Sequence, residues 1–251
     1  DFIQVDGEVT SFSNALQLNI KRIRRAHEGE YDAKDYFPVS DKNVDAMYKE
    51  LLGLAATVKH EKMRQLVNSF FVDDPDFQKR FKEHSAAKSV HHGYIGGLLE
   101  HTLAVTKLCD YYCKQYPILN RDLLIPAAMF HDIGKLEELS DFPNNDYTDD
   151  GQLLGHIVIG CEMIGARIRM IPGFPPKLAS ELKHCILAHH GEFEYGSPKK
   201  PALIEALALN FADDTDAKLQ IMIELFKGNP SNDWLGFNRL LESNIRKTVL
   251  E

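Results

Sequence analysis

The sequence predicts a mainly α-helical protein, a bundle of helices preceded by a short β-hairpin. Three observations predict it. From about residue 93 onward, apolar residues recur at helical spacing almost without interruption. Only the first stretch, residues 2–25, alternates apolar and polar side chains as a strand does. Histidines and aspartates also fall on the inward positions of successive helical segments, the way bundles build sites from facing helices.

The elements follow in order. Phe2, Val5, Gly7 and Val9, then Leu16, Leu18 and Ile20, make two strands, with Ser13-Asn14 as the turn. The second strand ends in the basic run Lys21-Arg22-Ile23-Arg24-Arg25. Two strands alone are marginal in water. They are expected either to pad the helical domain or to end a barrel whose earlier strands precede Asp1. Residues 26–40 read as a polar linker ending in Phe37-Pro38. Residues 41–90 read as a helical lead-in. Val44, Met47, Tyr48, Leu51 and Leu52 share one helical face, and Met63, Leu66, Val67 and Phe70 another. Asp74-Pro75 opens a third helix, cap then proline, with Phe77 and Phe81 on one side. In residues 91–228, helices are expected over about 96–115, 122–137, 152–171, 175–190 and 201–226. A last helix is expected over about 233–248, within a C-terminal segment of residues 229–251.

Bulk properties narrow the function. The 251 residues are 44% hydrophobic and 26% charged, ordinary for a globular chain. No apolar run approaches the roughly 18–20 residues needed to span a bilayer. The formal net charge of −8 argues against a surface coated for gripping duplex DNA, but leaves room for a local basic groove. Cys109, Cys113, Cys161 and Cys185 form no Cys-x-x-Cys pair. Reduced thiols and a cytoplasmic setting are expected. The apolar stripes of residues 41–85 and 233–250 suit either core or subunit contact, so a homo-oligomer stays open.

Five segments carry possible chemistry. These are His101 after Gly96-Gly97-Leu98-Leu99-Glu100; His131-Asp132-Ile133-Gly134-Lys135; His156 in an apolar run; His189-His190 at a helix end; and Asp213-Asp214 with Asp216 among apolar neighbours. Each has a plain structural reading: a core histidine, a solvated helix end, a cation at a helix C-terminus. Together they place imidazoles and carboxylates on successive helices, the donor mixture for Mn, Fe, Zn and similar ions. No phosphate-cradling Gly-x-x-x-x-Gly-Lys loop and no Ser-His-Asp or Cys-His nucleophile set is apparent.

With these motifs the sequence resembles the HD superfamily of metal-dependent phosphohydrolases, and more narrowly the YhaM-type 3′–5′ exoribonucleases. The likeness runs from about residue 2 to about residue 225 and includes His91-His92-Gly93-Tyr94, His189-His190-Gly191, Glu194-Tyr195-Gly196-Ser197-Pro198 and Ala212 to Lys218. Members carry an OB-fold before the HD domain, so residues 1–25 would be the last strands of an incomplete one. The resemblance implies two divalent ions, Mn first, with Fe, Co, Zn or Mg as other occupants. His101, His131, Asp132 and Asp213 would hold one. Asp132 would bridge to a second, held by His156 and His189, with His190 on that ion or on substrate. Lys135 would meet the phosphate, and Asp216 would pair with Lys218 or Lys135. The substrate would be single-stranded RNA or ssDNA, met by His91, His92, Lys135, Tyr195, Ser197, Lys199, Arg22 and Arg24. Tyr195, Phe193, Phe37 and Tyr94 are candidate stacking platforms; the plain reading is a solvated basic edge and core aromatics. The alternatives are an HD nucleotide or cyclic-nucleotide phosphohydrolase, whose Gly-Tyr-Pro triplet is missing, a di-iron oxygenase, and a binding module with a structural metal.

Overall fold

In the computed structural model, which describes residues 2–12, 15–27, 29–31, 36–37, 39–88, 93–142, 144–231 and 233–249, the alternating residues at the start form a hairpin. The chain divides into two compact units, Asp1–Pro38 and Val39–Glu251.

In the first unit, β1 (Ile3–Phe12) pairs antiparallel with β2 (Ala15–Arg25), from Ile3 opposite Arg25 to Phe12 opposite Ala15. Asp6 faces Arg22 but Gly7 faces Ile20, so Lys21 is the extra residue of a bulge. The expected turn at Ser13-Asn14 lies outside the described residues. Val9, Phe12, Leu16, Leu18, Ile20 and Ile23 are all exposed. The open end of the ribbon is held by aromatic rings. Phe2 stacks on Tyr31 with centroids 3.9 Å apart and meets Tyr36 and Phe37 edge-on. Phe37, expected as a stacking platform, is thus engaged with Phe2.

The second unit is helical. Its lead-in comprises α1 (Val44–Ala55), α2 (Glu61–Phe71) and α3 (Pro75–Glu83), the last capped by Asp74 with Pro75 in its first turn. Then come α4 (Gly97–Gln115), α5 (Arg121–Phe130), α6 (Lys135–Glu138), α7 (Asp149–Leu153), α8 (Gly155–Arg169), α9 (Pro176–Leu187) and α10 (Ile204–Lys227). Helix α4 packs against α1, α3, α5 and α10, which makes it the axis of the bundle. Phe70, Phe71, Phe77, Phe81 and Phe130 are buried together, with ring centroids 5.1 to 5.8 Å apart. Each buried phenylalanine contributes about 1.5–3 kcal/mol. The cluster ties α3 to α2 and α2 to the end of α5, where His131 begins.

Three expected helices differ in the structure. The one expected over 122–137 stops at Phe130 and resumes at Lys135. Between them His131 to Gly134 form a turn that packs on α8. A Cβ on Gly134 would lie 2.0 Å from the His156 carbonyl oxygen, so only glycine permits this approach. The helix expected over 152–171 breaks between Leu153 and Gly155, which puts His156 in the first turn of α8. The helix expected over 233–248 is absent. That segment is a hairpin of β3 (Trp234–Asn238) and β4 (Ser243–Arg246). Gly236 has φ +91°, a left-handed conformation that interrupts a helix. The Asn238 carboxamide oxygen accepts from the Leu240 and Leu241 amides, closing a turn that competes with helix. Spaced aromatic and branched residues, Trp234, Phe237 and Ile245, then suit a pleated ribbon.

Candidate metal centre

Five parts of the bundle meet at one point. His101 lies in the first turns of α4, where Leu98 to Thr102 are all buried. His131 and Asp132 occupy the turn after α5, His156 opens α8, and His189 and His190 follow α9. Asp213 and Asp216 lie three residues apart on α10 and so share a face.

Asp132 is the hub. Its Oδ2 lies 3.5 Å from His101 Nε2 and 3.4 Å from His131 Nε2. Its Oδ1 lies 3.5 Å from His156 Nε2 and 3.8 Å from His189 Nε2. Asp213 Oδ1 joins the first group, 3.0 Å from His101 Nε2. His101, His131 and Asp132 can each present a donor atom within 4.8 Å of the others, and so can His156, His189 and His190.

The outer ring nitrogens are already engaged. Nδ1 of His131 donates to the Ala128 carbonyl at 2.7 Å, that of His189 to Ile186 at 2.6 Å, and that of His190 to Tyr195 at 2.9 Å. His156 Nδ1 donates to Glu138 Oε1 at 2.9 Å and His101 Nδ1 to Asp216 Oδ2 at 2.7 Å. Carbonyls and carboxylates only accept, so each Nδ1 carries a proton and Nε2 faces the centre.

This donor set fits a metal. Asp132 Oδ1, His156 Nε2 and His189 Nε2 are buried without a hydrogen-bond partner. Each such orphan costs about 1–3 kcal/mol. A divalent cation would satisfy all three, and each histidine already has the outer partner that metal-ligating imidazoles need.

The electrostatics agree. Burial opposes charge on Asp132, but Lys135, His131 and His156 hold its carboxyl well below the usual range. Burial likewise opposes charge on Asp213, and His101 overrides it and keeps the group ionised. Burial pushes His189 well below an ordinary imidazole, and His190 downward too, which keeps both neutral as ligands must be. His101 is the exception. Burial opposes its cation, but Asp213 and Asp216 hold it, up to about 10.

The other expected residues divide. Lys135 Nζ sits 2.7 Å from Asp132 Oδ2, and with Tyr195 it lines a cleft of about 350 Å³ over the centre. Ser197 is buried, and its hydroxyl is within hydrogen-bond distance of the Leu187 and Lys199 carbonyls, so it fixes its loop rather than facing the cleft. Lys199 is exposed on that loop. Tyr94 donates its hydroxyl to Glu100 at 2.9 Å and is no open platform. Phe193 is exposed, with Lys200 over its ring. His91 and His92 lie outside the described residues. Arg22 and Arg24 belong to the other unit, where Arg24 pairs with Glu30 at 2.8 Å. Asp216 pairs with His101 rather than with Lys218 or Lys135, since Lys218 holds Asp214 at 2.8 Å and Lys135 holds Asp132.

Sequence reasoning missed Glu138, Asn210 and Phe211. Glu138 accepts from His156 twice, at Nδ1 and at the backbone amide. Asn210 donates to the His189 carbonyl at 2.7 Å and so holds the ligand turn. Phe211 is an exposed aromatic lining the cleft. The only available signal was register: Phe211 and Asn210 flank Asp213 on α10, and Glu138 follows Lys135 by one turn.

The chain matches the HD domain family over residues 98–218, a span that holds every histidine and aspartate of the centre. It is 31% identical over 221 residues to a protein named 3′–5′ exoribonuclease YhaM from Geobacillus sp. (strain WCH70). That match covers 88% of this chain and 67% of the relative. No solved structure matches the chain. No described helix is long and apolar enough to cross a membrane. The chain belongs to the YhaM-type family of the HD superfamily and is a hydrolase of the metal-dependent phosphohydrolase class.

Proposed function

We propose that this hydrolase is a 3′–5′ exoribonuclease that removes nucleotides from single-stranded RNA, and from ssDNA, with two divalent ions at the centre. The observation that carries the reading is Asp132, whose two oxygens face two separate histidine sets. His101, His131 and Asp213 would hold one ion, and His156, His189 and His190 the other. Mn is the first expectation, because mixed imidazole and carboxylate donors suit it as they suit Fe, Co and Zn, while Mg prefers oxygen alone. Bound together, the ions would make a water nucleophilic at neutral pH and stabilise the oxygens of an in-line displacement.

The chain's own residues do the rest. Lys135, fixed on Asp132 and open to the cleft, offsets charge growing on the phosphoryl oxygens. Tyr195 offers a ring for the terminal base, since stacking holds single strands without reading sequence. The basic strand of the hairpin, with Arg22 and Arg24, would meet the backbone of longer substrates. Four free cysteines fit a cytoplasmic setting. The second reading is hydrolysis of free nucleotides, favoured by a cleft of about 350 Å³, near the lower end of small-ligand pockets. Turnover of a 3′-labelled single-stranded RNA beside a nucleotide panel, each with added Mn, decides between them. Early release of labelled mononucleotide is expected; turnover of free nucleotides alone would overturn the exonuclease reading.

A further inference from the structure

Two histidines of the centre are backed by carboxylates and three by backbone carbonyls. The two carboxylates are divided between its halves. Asp216 Oδ2 lies 2.7 Å from Nδ1 of His101, on the Oδ2 side of Asp132. Glu138 Oε1 lies 2.9 Å from Nδ1 of His156, on the Oδ1 side. Their side chains are only 16% and 12% exposed, so solvent screens these pairs little. They also come from different elements, α10 and α6, and neither is placed as a ligand itself.

A carbonyl behind an imidazole fixes the ring. A carboxylate fixes it and also makes Nε2 a stronger donor, because its negative charge favours the Nδ1 proton moving toward it. We infer that Asp216 and Glu138 are positioning residues that set metal affinity separately, Asp216 for the His101 position and Glu138 for the His156 position. This rests on the two-metal reading above. Glu138 has a second task. It accepts the His156 amide at 2.9 Å, at the start of α8, where Leu154 provides no side-chain cap. It therefore fixes the entry of that helix as well as the ring.

The test isolates one position at a time. His189→Ala in the full chain removes a ligand from the second position and leaves the first intact. Metal-stripped protein is then titrated with Mn²⁺, reading the free ion by its paramagnetic resonance signal. In that background Asp216→Asn is expected to weaken the remaining site about 10–100-fold. Glu138→Gln should change it by less than about 2-fold. Asp216→Glu, which keeps the charge, should hold the ion better than Asp216→Asn does, whether or not the Asn variant unfolds cooperatively in chelator. Equal losses from Asp216→Asn and Glu138→Gln would mean a general structural role and overturn the inference. So would an unchanged affinity in Asp216→Asn. If the unmutated chain takes up fewer than two ions, the two-metal reading falls first; if it takes up two and the variants behave alike, only the separate roles of Asp216 and Glu138 fall.

Discussion

The metal centre and the N-terminal hairpin are both built from ionisable residues, but on opposite physical terms. At the centre, His101, His131, Asp132 and His189 are at most 2% exposed, and each charge is met by a partner inside the bundle. On the hairpin, Lys21 and Arg24 are exposed and their ion pairs with Glu8 and Glu30 lie in water. Buried charges are costly unless paired, so removing a charged partner from the centre is far more expensive than removing one from the hairpin. Exposed pairs contribute little because water screens them, so the hairpin can lose one with little harm to its fold. The difference teaches that the centre is a set of buried, mutually dependent groups, whereas the hairpin holds its charges in solvent, where each can be changed by itself.

The largest effect expected from this contrast is at Asp132. Asp132→Ala removes the group shared by both halves and strands Lys135 beside it. Turnover should fall below detection and metal uptake should collapse at both positions. Breaking a buried ion pair from one side also costs about 3–5 kcal/mol, to be read from denaturant unfolding. A variant that still binds two ions would show that Asp132 is no bridge. Next comes Lys135. Lys135→Ala should retain metal, measured by elemental analysis, and lower the catalytic rate about 10²-fold. Falling metal content would instead assign Lys135 to holding Asp132 in place, at 2.7 Å.

On the hairpin the expected effects are smaller and confined to long substrates. Replacing Lys21, Arg22, Arg24 and Arg25 with Ala should leave hydrolysis of a small phosphodiester unchanged. Affinity for a single-stranded RNA should drop, and its dependence on log salt should flatten by about 0.7 for each phosphate that is no longer neutralised. Because Lys21 and Arg24 already face Glu8 and Glu30, the flattening should be smaller than four free cations would give. Identical salt slopes would reduce the basic strand to a solvated edge. The smallest effect is a titration. Arg24 beside Glu30, helped by the His27 amide, lowers the Glu30 carboxyl to about 2. A carboxyl lowered by folding stabilises above the ordinary range near about 4.3 and stops doing so as pH falls through its folded value. The Glu30 side-chain carbon resonance should therefore titrate near 2, and its midpoint should rise toward the ordinary range in Arg24→Ala while the His27 amide still holds it partly down.

Much of this protein was legible along the chain. Helical periodicity marks α1 to α4 and α8 to α10 because each turns one face to the core, and Met63, Leu66, Val67 and Phe70 of α2 report that burial at their own spacing, whereas α5 is buried all round from Leu123 to Phe130 and shows as a continuous apolar run. Asp74-Pro75 marks the start of α3 because capping is settled within a few residues. The set His101, His131, Asp132, His156, His189 and Asp213 stands out because polar groups in apolar runs need a reason to be there. Other features were decided only by packing. His101 and Asp216 are 115 residues apart, and His156 meets Glu138 across two elements. The turn at His131 to Gly134 depends on the close approach of α8, and the C-terminal hairpin on a left-handed Gly236 and the Asn238 turn. Ser197 and Tyr94 turned inward onto neighbours that no local pattern names. Periodicity records how much of an element is buried, because burial repeats with the element's own geometry. It does not record which side chain stands opposite, because that depends on how helices far apart in sequence cross, and so the donors were readable from the chain while their partners came from the fold.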